Sequence, residues 1–328
     1  MSTSTAASAS PSNASAPNAG PSGAAPSNAS KYDGLPPGSA FVLEPTLPGS
    51  KKSGYEFLVL QKPGRTLKKY VFIQDETGYL PKVLDKYLRE FADSTAGINI
   101  QGNNQGKRTI VETAKDLMKV YGVMYFGFKA AQMVFNKIRA KIVNGLLGST
   151  RKCYTVEAVA RKYNVPVHRT EDVNSEEFRK KLRDLGVEFI VSISGTQLYK
   201  KDLRMQTPFG IVNCHGALLP KYRGLMPSFW TLANGEKLGG SSVHFVDRKL
   251  DNGPIVVQKV YRLWSHDTLE DVMARSKDLA AEAIIECVRL VEAGEPPLMP
   301  NPEAEQSHFA MPTKADVERF RKNGHRFW

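Results

Sequence analysis

The chain has little cysteine, no long uninterrupted apolar run, and almost no acidic residue over one fifty-residue stretch. Its three cysteines, Cys153, Cys214 and Cys287, are far apart and leave an odd count, which excludes a disulfide framework and a paired CxxC zinc site. Unpaired thiols fit a reducing compartment, so the expected location is cytoplasmic. The most apolar run, from about Val120 to Phe135, is too short to span a bilayer and carries Lys129 in its middle. No transmembrane segment and no stable membrane association are therefore expected. The first residues have neither the basic nor the apolar stretch of a secretory signal. Neither G-x-G-x-x-G after the first strand nor G-x-x-x-x-G-K-[ST] occurs, which removes the two commonest phosphate-cradling loops.

What the chain does have is an excess of positive charge, and its distribution matters more than its size. The net charge over 328 residues is +12. Residues 1 to 30 carry no charged side chain, residues 103 to 152 carry ten basic and two acidic ones, and residues 153 to 310 are nearly neutral, with 20 basic and 21 acidic. A uniformly basic, polymer-coating protein is disfavoured by that pattern.

Residues 1 to 40 hold almost nothing that can be buried, and Pro and Gly recur through them, so a disordered tail is expected. From about Tyr70 strand and helix signals alternate, the pattern of a mostly parallel sheet with helices on its faces. The strands read as Tyr70 to Asp75, Ile98 to Gln101, Val165 to His168, Glu188 to Ser194 and Phe209 to Cys214. Between and after them come helices at Tyr79 to Phe91, Val156 to Tyr163 and Ser175 to Leu185, the last capped by Asn174. Two extended stretches, Ser241 to Val246 and Ile255 to Leu263, flank a turn-rich segment, and a long helix runs from Thr268 to about Ala293. Lys107 to Val143 reads as a long basic helical stretch, with Ile110, Ala114, Leu117, Tyr121, Met124, Phe128 and Ala131 on one stripe, bent or broken at Gly122 and Gly127.

The densest chemistry lies in Asn213-Cys214-His215-Gly216-Ala217-Leu218-Leu219-Pro220-Lys221-Tyr222-Arg223-Gly224. Asn213 and His215 are two apart at the end of an apolar strand and so point the same way. A neutral amide there can hold a developing oxyanion, and an imidazole can move a proton near neutral pH. Asp251, in Leu250-Asp251-Asn252-Gly253-Pro254, adds a carboxylate able to orient water or the imidazole. Taken singly, each motif has a plainer explanation. Asn-x-His at a strand end is commonly a hydrogen-bonded turn, and Asp-Asn-Gly-Pro is turn chemistry. Cys214 should face the opposite side as a small buried residue. His244 is either a pocket or a structural histidine. His215, His244 and Asp251 have the residue types of a zinc site, but no spacing specifies one, and no metal is expected.

Together these motifs resemble the folate-dependent formyltransferase family, in particular the catalytic domain of the methionyl-tRNA formyltransferase-like members. That family's pattern is Asn-x-His, then Ser-Leu-Leu-Pro-x-x-x-Gly, then an aspartate in Leu-Asp-Thr-Gly. Here Ala217 replaces the serine and Asn252 the threonine. The resemblance implies a Rossmann-like α/β domain over residues 41–295; the basic helical stretch at 103–150 reads as an insertion without counterpart in its compact members, and the tail at 296–328 offers Thr313 as the cap of a short helix. It implies transfer of a formyl group from 10-formyltetrahydrofolate to a primary amine through a tetrahedral intermediate, with no metal. Asn213 and His215 would stabilise the oxyanion, and Asp251 would keep His215 correctly charged. Gly195, Thr196, Gln197, Leu198, Leu219, Val246 and Asp247 would contact the folate, and Pro220, Arg223 and Gly224 the acceptor.

The acceptor is expected to be a small-molecule amine, such as an amino-sugar nucleotide, or a tRNA-linked one, with a homodimer possible. About 35 residues follow the last long helix, fewer than the barrel domain that methionyl-tRNA formyltransferases append. Two alternatives stand beside the transferase: a formyltetrahydrofolate deformylase, in which water replaces the amine, and a non-catalytic relative that binds RNA or a membrane through the basic stretch. The lysines of that stretch are expected to be a solvated face over a core-packed apolar stripe. The aromatic C-terminal residues are expected to pack on the domain or on a second subunit.

Overall fold

The computed structural model describes residues 40–41, 65–102, 115, 118, 122–294 and 296–328. The expected disordered tail lies outside these residues up to 39, as do Ile110, Ala114, Leu117 and Tyr121 of the basic stretch.

An eight-stranded mixed sheet forms the centre. Its strands are β1 (Ala40–Phe41), β2 (Lys69–Gln74), β3 (Thr95–Gln101), β4 (Val167–His168), β5 (Phe189–Ile193), β6 (Ile211–His215), β8 (Leu238–Phe245) and β9 (Ile255–Arg262). The spatial order is β1-β9-β8-β6-β5-β2-β3-β4. β4, β3, β2, β5 and β6 run parallel; β8, β9 and β1 are antiparallel to their neighbours. The chain winds outward from β2 in both directions, so β2 and β5 flank a topological switch point, where open α/β sheets place their ligands beyond the carboxyl ends.

Helices cover both faces. On one side α1 (Leu80–Phe91), α3 (Val156–Lys162) and α7 (Leu269–Ala293) enclose a core that includes Val71, Ile73, Leu84, Val191, Val243 and Ile284. On the other, α4 (Glu176–Asp184) and the short α5 (Lys201–Gln206) cover Tyr70, Phe72, Ile190 and Ile211. Each fully buried side chain of this size contributes about 1.5–3 kcal/mol from leaving water. α7 starts at a capping box in which Thr268 and Asp271 each satisfy the other's backbone N–H. The expected cap of α4 at Asn174 moves one residue: Ser175 is the N-cap, its hydroxyl accepting from Phe178 N, while Asn174 accepts from Lys200 N and donates to Leu198 O. The asparagine is drawn to the loop after β5 and leaves the helix end to the serine.

α2 (Val123–Arg139) follows Gly122, whose φ of +80° starts the helix, and Gly127 lies inside it without a break. Residues Ala140–Leu146 continue it as π-helix. The C-terminal segment packs back on the same domain: β10 (His308–Phe309) pairs with β7 (Arg223–Gly224), and α8 (Lys314–Lys322) seats Phe320 against Phe229. Thr313 caps α8 through a second capping box. Phe309 stacks on Trp230, Trp328 on Tyr125, and the intervening α6 (Pro227–Ala233) supplies Phe229 and Trp230.

Candidate active site

The site is built where β6 ends. Alternation along the strand sends Val212 and Cys214 into the core under α7 and turns Asn213 and His215 to the other face. Ser192 on β5 donates to Asn213 Oδ1 at 2.9 Å, and Tyr199 Oη sits 2.7 Å from the Ser192 hydroxyl. Because the serine has spent its one proton on the amide oxygen, Tyr199 is the donor to it. This chain fixes the amide orientation and leaves Asn213 Nδ2 as a donor for the cavity that the residue lines.

His215 is buried, and its Nε2 lies 2.7 Å from the carbonyl oxygen of Tyr222. A carbonyl only accepts, so Nε2 carries a proton and Nδ1 is the nitrogen that can take one up. Nδ1 is 3.6 Å from Asp251 Oδ2, and His244 Nε2 is 3.6 Å from Asp251 Oδ1. Asp251 thus lies between two imidazoles and accepts from Gly224 N at 2.9 Å. Burial opposes its charge, but His215, His244 and the Gly224 amide together hold the carboxyl well below the usual carboxylate range. For His215 burial outweighs the attraction of Asp251 and lowers the imidazole below its ordinary value. At neutral pH the pair is therefore a neutral imidazole backed by an ionised carboxylate.

The turn that presents Asp251 depends on backbone geometry. Asp251 adopts a φ of +49°, and a Cβ on Gly253 would overlap the Phe245 carbonyl, so glycine is required there. Asn301 fastens the turn from outside by donating to the carbonyls of Asp251 and Gly253, both at 2.9 Å.

These groups face a cavity of about 360 Å³ at the carboxyl ends of β2, β5 and β6. Its wall includes Gly195, Thr196, Gln197, Leu198, Val246 and Asp247 from the two loops singled out in the sequence, together with Gly224. Gly195 admits no side chain, since a Cβ would overlap Tyr199 Oη. Three expected contacts lie elsewhere. Leu219 packs with Ile255 and Met299 away from the cavity, and Pro220 does not line it. Arg223 is fully buried as a clamp, donating to Asn252 Oδ1 at 2.8 Å, Gln306 Oε1 at 2.6 Å and Asn301 Oδ1 at 2.8 Å. The tail residues Asn301 and Gln306 take up the guanidinium that was expected to meet the acceptor. Arg223 ties the Asp251 turn to the C-terminal segment.

Other residues of the site carry no motif. Lys277 on α7 lines the cavity and donates to Ser194 Oγ at 2.5 Å. No carboxylate lies within ion-pair distance of it among the described residues, and burial lowers its ammonium below the usual value. Ser242 on β8 pins the loop at Ala217: its hydroxyl donates to Ala217 O at 2.7 Å and accepts from Leu219 N at 3.1 Å. The Cys214 thiol is pushed up to about 12 by burial, so it forms no thiolate near neutral pH. Among the described residues no three His, Cys, Asp or Glu side chains are placed to hold a metal ion.

A family model described as formyl transferase matches residues 112–288, more than half of the chain and all of the strand-end site. The chain belongs to the formyl transferase family. The methionyl-tRNA formyltransferase of Kosmotoga olearia is 32% identical over 162 residues, 49% of this chain and 52% of that protein. That of Thermodesulfovibrio yellowstonii is 31% identical over 169 residues, 52% of this chain and 54% of that one. The chain thus spans about half the length of these relatives. Among solved structures, the phosphoribosylglycinamide formyltransferase from Anaplasma phagocytophilum aligns with a TM-score of 0.48 at 19% identity, covering 75% of this chain and 100% of that one. The matched segment begins inside the basic stretch, takes in α2, and ends within α7.

Proposed function

We propose that the protein transfers a formyl group from 10-formyltetrahydrofolate to a primary amine by direct attack. The observation that carries this reading is the convergence on one cavity of an amide N–H donor, a neutral imidazole and an ionised carboxylate, with no serine or thiol among the described residues hydrogen-bonded to His215. Such a set suits acyl transfer without a covalent enzyme intermediate. The cavity size is that of a small-molecule site. The loops 194–198 and 246–250 would hold the folate, which brings the formyl group.

The roles then follow from geometry. Asn213 Nδ2 donates to the formyl oxygen as negative charge develops there, a contribution of roughly 3–4 kcal/mol for a single oxyanion donor. His215 Nδ1 accepts a proton, directly or through water, as the amine nitrogen bonds to the formyl carbon. Asp251 stabilises the imidazolium that results. The bond from the formyl carbon to the folate nitrogen breaks, and that nitrogen takes the proton back. Holding amine and formyl carbon together in a shaped cavity supplies much of the remaining rate.

Lys277 favours an acceptor with an anionic group, since a half-buried lysine that meets a serine hydroxyl, and no carboxylate among the described residues, gains a charge-assisted partner on binding phosphate or carboxylate. An amino-sugar nucleotide or an aminoacyl-tRNA both meet that requirement. Incubation with 10-formyltetrahydrofolate and a panel of amino-sugar nucleotides, methionyl-tRNA and glycinamide ribonucleotide should yield one product heavier by a formyl group. Release of formate at full rate without any amine would replace this reading with a hydrolase.

A further inference from the structure

The polarity of α2 is inverted relative to a helix that packs on a core. Three of its polar side chains reach the domain: Lys129 pairs with Glu270 at 3.0 Å, Lys137 with Asp75 at 3.2 Å, and Asn136 donates to Thr77 O at 3.1 Å. Tyr125 also reaches Glu270 and is the only side chain of α2 that is fully buried. The apolar side chains face outward. Met124 is 82% exposed and Phe128 59%, and Val134, Phe135, Ile138, Ile142, Leu146 and Leu147 continue the exposed stripe. Spacings of three, four and seven residues keep them on one side over α2 and its π-helical extension, a length of about 36 Å. An ordinary surface helix hides such a stripe, and a contiguous exposed one of this length marks an interaction surface.

The charges on the same segment choose the partner. From residue 122 to 152 there are six basic residues and no acidic one. Arg139, Lys141, Arg151 and Lys152 are exposed beside the stripe. A second copy docking here would set one cationic margin against another. An anionic lipid surface instead takes the apolar stripe into its acyl boundary and the flanking cations at its headgroups. We infer that α2 and its extension form a peripheral docking surface for anionic membranes, lying in the interface plane. This revises the expectation of no stable membrane association. No helix among the described residues is long and apolar enough to cross a bilayer, so the association is monotopic. Lys129 and Tyr125 connect the docked helix, through Glu270, to the first turn of α7, whose Leu269, Met273 and Lys277 wall the cavity. Docking therefore sets the orientation of the active site to the bilayer.

Co-sedimentation of the full chain with vesicles of phosphatidylcholine alone, or with one third phosphatidylserine, tests this. Binding to the anionic vesicles is expected to exceed binding to the neutral ones at least tenfold and to fall as salt is raised. The variant Phe128→Ser/Phe135→Ser/Ile138→Ser leaves every charge in place and is expected to lose at least tenfold in vesicle binding while keeping its circular dichroism and melting temperature. Equal binding by this variant would reduce the effect to nonspecific adsorption of a basic protein and overturn the proposal. A concentration-dependent dimer in light scattering that the same substitutions abolish, without vesicle binding by the parent, would overturn it in favour of a second copy. Should the triple variant misfold, Lys141→Gln/Arg151→Gln/Lys152→Gln provides the second arm, with reduced binding to anionic vesicles expected and unchanged binding overturning the charge argument.

Discussion

The strand-end site and the α2 surface treat polarity in opposite ways. Beyond β6 the polar side chains are buried or half-buried and each is held by another: Asn213 by Ser192, which Tyr199 holds in turn, His215 by the Tyr222 carbonyl, Asp251 by the Gly224 amide. On α2 Lys129 and Lys137 also reach inward, but a stripe of apolar side chains is left in water. Burial in the first region sets protonation states and preorganises donors, which is what chemistry requires. Exposure in the second costs the folded state some stability and makes sense only where something else covers the stripe.

The largest expected effects fall on the proposed catalytic set. His215→Ala and Asp251→Asn are each expected to lower kcat/KM by roughly 10²–10⁴ with little change in melting temperature, and Asn213→Ala by roughly 10²–10³. Steady-state kinetics with the best acceptor checks this, and full turnover in any of the three would break the site assignment. Arg223→Leu is next: stripping Asn252, Asn301 and Gln306 of a buried donor should cost about 3 kcal/mol in chemical denaturation. If it instead raised the acceptor KM with stability intact, Arg223 would be a substrate contact after all. Lys277→Met should raise KM for an anionic acceptor about tenfold, or about 1.4 kcal/mol, with a smaller change in kcat.

Acid sensitivity sharpens the electrostatic half. Because burial depresses His215, its neutral form prevails above the ordinary imidazole value of 6.5, and activity should be level there and fall as the pH drops through the depressed value. The same sign holds for stability: the unfolded chain takes the proton first, so this group's contribution is present above 6.5 and is lost at lower pH. In Asp251→Asn the acid limb should move to still lower pH, since the carboxylate is what supports the imidazolium. The smallest effect belongs to α2. Phe135→Ser alone should change stability by less than about 0.5 kcal/mol, and a loss above 2 kcal/mol would mean that the stripe is packed and the contrast false.

Much of the site was legible because strand periodicity is simple. Two residues apart on a strand means one face, so Asn213 and His215 were paired from spacing and Cys214 excluded from the same side. The Thr313 cap and the strand-helix alternation were readable for the same local reason. Arg223 was misplaced because a loop arginine beside a catalytic motif looks like an anion contact until Asn301 and Gln306, some 80 positions on, are brought against it. Lys277 was invisible because nothing in a long amphipathic helix marks which turn passes the end of β5. Of the expected stripe, Met124, Phe128 and Ala131 lie among the described residues, and they face outward instead of into the core. A period of 3.6 identifies a face and leaves open which neighbour it meets, and Glu270 and Asp75 draw the lysine side inward.

Sequence alone therefore determined the α/β class, the Asn213–His215–Asp251 set and the family pattern around it, because these rest on short periods and fixed turn chemistry. Tertiary structure decided the rest: the ionisation of Asp251 between two histidines, the conversion of Arg223 into a clamp, the entry of Lys277 and the outward turn of the α2 stripe. Each of these depends on burial and on partners distant in the chain, and both come into being only when the layers pack.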